Sequence, residues 1–184
     1  MKQSLTLDGI SWRRVAIFLV GVGMAVTSVM TVQHFFDTNY PTSIYAGSFC
    51  DINAFFNCDS SAYSEISAIG GVPLGYFGLF LGCVVAFGAV FPSMTFERTN
   101  KMVNLLNVVG VIALFSYSVF ILGSLCLLCA GYYVFSISSF VLFWRFGIDK
   151  DEKSFLARWF HPSIKFLATF AIMLLVGAYG FLLY

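Results

Sequence analysis

Five runs of about 20 apolar residues dominate the chain, each near the length a helix needs to cross the hydrocarbon core of a bilayer. They cover Trp12 to Val32, Val72 to Phe91, Met102 to Leu122, Leu125 to Trp144 and Ile164 to Tyr184. The runs are unbroken and lack the two-residue alternation of a barrel strand, so they predict helices. Of the 184 residues 59% are hydrophobic and only 10% charged, and five spans leave little room for a separate soluble domain. The expectation is an all-α integral membrane protein whose single domain covers residues 1–184. The first run is longer than the apolar region of a signal peptide and no Ala-x-Ala site follows it, so it reads as a retained anchor. A net charge of +1 argues for no nucleic-acid partner.

The ten basic residues set the expected orientation. Lys2, Arg13 and Arg14 lie before or at the very start of the first run; Arg98 and Lys101 separate the second from the third; Arg145, Lys150, Lys153, Arg158 and Lys165 lie between the fourth and the first residues of the fifth. The outer loop at about 33–71 and the turn at Gly123–Ser124 hold none. The positive-inside rule then predicts a cytoplasmic amino terminus, with that loop, that turn and the carboxyl terminus outside.

Four of the five cysteines fall on the predicted outer side, a compartment that permits disulfides. Cys50 and Cys58 lie in the loop, in "SFCDINAFFNC", and Cys126 and Cys129 open the fourth span, in "CLLC". Residues three apart share a helix face, and the free N–H groups and dipole at a helix amino terminus stabilise a thiolate. Cys126 and Cys129 are therefore placed to cycle between dithiol and disulfide. Two other readings stay open for them: a pair of buried packing residues, and a metal site, although His34 and His161 fall on opposite sides of the membrane in this topology. For Cys50 and Cys58 a loop-stapling disulfide competes with a redox role. A second pair on the same side supplies an exchange partner, provided one cysteine of a mobile loop reaches the other pair. Cys83, mid-span in "GLFLGCVVAF", reads as an apolar packing residue.

Taken in order, the loop pair, "CDSSAYSEI" with Ser64 six residues past Cys58, "GGVPLGYFGLFLG" opening the second span and "CLLC" opening the fourth resemble the bacterial branch of the vitamin K epoxide reductase family. The resemblance covers the first four spans and implies a four-helix transmembrane bundle plus a peripheral fifth transmembrane helix, here without the thioredoxin-like domain that often follows. The DsbB family is the alternative. It also carries two cysteine pairs and reduces quinone, but in the reverse chain order.

The resemblance further implies a relay. A reduced thioredoxin-fold (DsbA-like) partner attacks the Cys50–Cys58 disulfide at Cys50, and the freed Cys58 attacks the Cys126–Cys129 disulfide at Cys126. Cys129 then reduces a quinone, ubiquinone or menaquinone, through a charge-transfer or covalent adduct. The outcome is disulfide formation in exported proteins, from the inner (cytoplasmic) membrane. Tyr133, one turn beyond Cys129, and Ser64 are the candidate donors to a quinone carbonyl; Leu74 stands where family members carry an Asn near the start of the second span. Tyr133 reads equally as an aromatic of the interfacial belt. Pro73 suits a first helical turn, Gly75, Gly78 and Gly82 form a small-residue packing face, and Asn104 and Asn107 read as interhelical hydrogen-bonding groups far from the cysteines.

Overall fold

A computed structural model of the protein describes residues 6–7, 10–40, 50–91 and 94–146. A two-residue antiparallel pair, β1 (Thr6–Leu7) and β2 (Ile10–Ser11), leads into α1 (Trp12–Asn39). The short α2 (Cys58–Ala62) and the pair β3 (Ala68–Ile69) and β4 (Val72–Pro73) follow, then α3 (Leu74–Val90) and α4 (Met94–Tyr117). A π-helical turn, Ser118–Leu122, continues α4 and ends at Gly123, whose φ of 65° is the left-handed conformation that favours glycine. The last described element is α5 (Leu127–Arg145).

Three stretches among the described residues are long and apolar enough to cross a membrane: Trp12–Asn39, Phe96–Leu122 and Leu127–Arg145. The 17-residue α3 is equally apolar but shorter, about 26 Å at 1.5 Å per residue. Their outward faces carry Leu19, Val26, Leu106, Val109, Ile112, Val134 and Ile137, all exposed, which suits lipid and not water. The fifth expected span and the basic loop before it lie outside the described residues.

Two helices reach further than the apolar runs predict. α1 continues through residues 33–39, five of which are polar, because its last turn is tied to the segment beyond it: Asn39 Nδ2 donates to Phe35 O at 3.0 Å and to Ala62 O at 3.2 Å. α4 begins at Met94 and not near Met102, its polar first turns held by the Arg13–Glu97 ion pair and by Asn104 Nδ2, which donates to Asn100 O at 2.7 Å. Hydropathy ends a span where water begins; helices end where their backbone loses partners.

α1 packs against α3 and α5, and α4 packs against α5 and α3. Apolar side chains are as content in lipid as against each other, so close backbone approach decides which helix faces meet. A Cβ on Gly82 would stand 2.6 Å from Ala25 N, and one on Gly21 would stand 2.5 Å from Ala86 N. Gly75 and Gly78 extend that seam to Val32 and Ser28, as the small-residue face predicts.

The two ends of the bundle differ in chemistry. At one end Arg14 donates to the last carbonyls of α3, Ala89 O and Val90 O, both at 3.2 Å, and Lys101 Nζ sits 4.9 Å from the Trp144 ring centroid. At the other end Cys50, Cys58, Cys126 and Leu128 form a buried cluster with Cys129 against it.

Candidate functional site

The cluster is assembled by a loop clamped onto the start of α5. Leu125 N donates to Phe55 O at 2.6 Å and Asn57 N to Leu125 O at 3.3 Å, a one-residue parallel bridge between Phe56 and Leu125. Ser124 Oγ donates to Ser60 Oγ at 2.8 Å. Asn57 caps α2, its Oδ1 accepting from Ser60 N at 2.7 Å. Asp51 Oδ1 accepts from Cys58 N at 2.8 Å and from Asp59 N at 3.4 Å. Local Asn and Asp side-chain hydrogen bonds of this kind hold a backbone that belongs to neither helix nor sheet.

The clamp sets the sulfurs. Cys50 and Cys58 form a disulfide with Cα atoms 5.8 Å apart, and both are fully buried. Cys126 and Cys129 are free thiols, and Cys126 Sγ lies 3.2 Å from Cys58 Sγ. Cys58 stands against Cys126 because the backbone hydrogen bonds of the clamp bring the two pairs together. Cys126 occupies the N-cap of α5, and its sulfur accepts from Cys129 N at 3.4 Å. The hydrogen bond from the Cys129 side chain, helped by the Cys129 and Leu128 backbone, holds the Cys126 thiol below its ordinary pKa despite its burial.

Beneath the sulfurs opens a cavity of 470 Å³ between α1, α3, α4 and α5. Cys58, Cys126, Cys129, Ser64 and Tyr133 all line it, whereas Cys50 does not. Their fitness as donors differs. Ser64 Oγ already donates to Ser61 O at 2.7 Å. Tyr133 is buried, its ring 6.3 Å edge-on to Phe115. Leu74 contributes only apolar wall.

Two residues near the site were not foreseen. Asn107 bonds between helices as expected, Tyr132 donating to its Oδ1 at 2.9 Å, but it also lines the same cavity, where its buried Nδ2 has no hydrogen-bond partner. Asn107 and Ser118 both reach the cavity from the α4 side, about 16 Å apart along the helix at 1.5 Å per residue, so the cavity extends deep into the bundle. His34 also lines the cavity, and a ring nitrogen of it lies within 4.8 Å of both Cys50 and Cys58 sulfurs. The signal for His34 was hidden by ending the first span at Val32, which left the residue in a loop. Cys83, mid-way along α3, is a free thiol outside the cluster.

The sequence profile of the vitamin K epoxide reductase family matches residues 14–144, most of the chain and all four long helices. A comparison with curated proteins returns no match.

Proposed function

Because the chain belongs to the vitamin K epoxide reductase family, a family of membrane oxidoreductases, we propose that it carries electrons from a reduced extracytoplasmic thioredoxin-fold protein to a quinone and so supports disulfide formation in exported proteins. The observation that carries this reading is the 3.2 Å approach of Cys58 Sγ to Cys126 Sγ, between a closed disulfide and a reduced pair, at the mouth of an apolar cavity.

The relay balances as follows. A partner thiolate attacks Cys50, the Cys50–Cys58 bond breaks, and Cys58 leaves as a thiolate. Cys58 then attacks Cys126 of an oxidised inner pair and expels Cys129. The partner's second thiol releases Cys50, which displaces Cys126 from Cys58 and restores the outer disulfide. Two electrons now rest on Cys126 and Cys129. Their reoxidation to a disulfide passes both electrons to the quinone, which takes up two protons to become the quinol.

The apolar cavity has room for a quinone ring, and the Tyr133 phenol is the group we assign to one of its carbonyl oxygens. The arginines and lysines at the end of the bundle opposite the sulfurs support an orientation with the sulfurs outside. The purified protein, given a reduced thioredoxin-fold donor, should form one quinol per disulfide made. Thiol oxidation without quinol formation, or no exchange with the donor, would refute the reading.

A further inference from the structure

We infer that His34 is the acid–base partner of the outer disulfide, stabilising the thiolate that leaves when Cys50–Cys58 is opened. The inference rests on the proposed relay only for the identity of the reductant.

His34 is 8% exposed, near the carboxyl end of α1, with a ring nitrogen within 4.8 Å of both sulfurs. Its Nε2 makes no hydrogen bond: Asp59 Oδ1 is 3.1 Å away, ion-pair distance, but off the line a hydrogen bond requires. A buried imidazole left without a hydrogen bond at that atom costs stability unless it serves another purpose. The titratable groups close around it are Cys50, Cys58 and Asp59, while Asp51 is committed to the backbone N–H groups of Cys58 and Asp59. Asp37, on the same helix, is exposed. On the shared cavity wall α5 offers Cys126, Cys129, Tyr132 and Tyr133, α4 offers Tyr117, and α3 offers no titratable group. No other cation-forming side chain among the described residues lines that wall.

When an incoming thiolate bonds to Cys50, the electron pair of the broken S–S bond goes to Cys58. That thiolate forms in a fully buried cluster, where an unbalanced negative charge is costly. A protonated imidazole beside it supplies the balancing charge without consuming the nucleophile, and the thiolate moves on to Cys126. When the partner's second thiol then expels Cys50, the same ring faces the second leaving sulfur.

The test follows opening of the Cys50–Cys58 disulfide by dithiothreitol, with the freed thiols alkylated and counted by mass spectrometry. Because the attacking thiolate is common to both proteins, the ratio of wild-type to His34→Asn rates isolates the imidazole. That ratio should be about a hundred in mildly acidic buffer and fall towards one in alkaline buffer. His34→Gln, which keeps an amide of greater reach, should behave as His34→Asn does. A ratio of one throughout, or a ratio independent of pH, would overturn the inference, the second outcome marking His34 as a packing residue. A wild-type protein opened by dithiothreitol yet unable to reduce quinone would sink the relay and leave the His34 result standing.

Discussion

Cys126 has two jobs that its position reconciles: it caps α5 with its sulfur and it faces Cys58. Capping favours the thiolate, since the N–H groups at a helix start point at it. With Cys83→Ala removing the bystander thiol and the outer disulfide closed, ultraviolet titration should find a thiolate persisting below the ordinary cysteine pKa of about 8.5. A single transition at or above that value would contradict the assignment. The inner pair also divides its labour. In Cys129→Ala the inner disulfide cannot form, so Cys126 can only attack the closed outer disulfide at Cys58 and free Cys50; the resulting Cys58–Cys126 cross-link, with Cys50 as a free thiol, should appear on gels run without reductant, whereas in Cys126→Ala no such adduct should form and turnover should stop. Quinone-dependent turnover by Cys126→Ala would reverse the relay order.

At the scale of elements, the α1–α3 seam is where small residues matter most. Gly82→Val would drive a side chain into the α1 backbone at Ala25, so a loss of about 2 kcal/mol or more is expected in detergent denaturation. Gly110→Ala meets nothing within 4 Å, and alanine's better helix propensity should leave stability unchanged or raise it by up to about 1 kcal/mol. Equal losses at the two sites would mean that close packing at the seam is not what holds α1 to α3. The loop clamp works differently, through backbone hydrogen bonds between Phe55, Asn57 and Leu125 that no side-chain truncation removes.

For the whole molecule, the separation of sulfurs from basic residues becomes a statement about membrane sidedness. Tyr63, 67% exposed beside the sulfur cluster, and Arg145, exposed at the far end of α5, report on the two faces. A cysteine at Tyr63→Cys should react with a membrane-impermeant maleimide on intact cells, and one at Arg145→Cys only after permeabilisation. The reverse pattern would invert the proposed topology. Cys50 itself is a poor reporter, because it is fully buried even though it belongs to a loop.

Apolar run length made the membrane helices legible, because the bilayer imposes its thickness on any sequence that spans it. The two cysteine pairs were legible as well, since their spacing and chain order carry chemistry that packing alone does not require. Helix ends were less so: residues 33–39 look like loop until Ala62 and α2 are seen holding them, and with them His34 stayed hidden. The hydrogen bond of Asn107 to a neighbouring helix was legible, but that the cavity runs down the bundle to reach it depends on how α4 and α5 pack. The meeting of Cys58 with Cys126, 68 residues apart, was decided by the tertiary structure alone, through a clamp of backbone hydrogen bonds whose partners no local pattern announces.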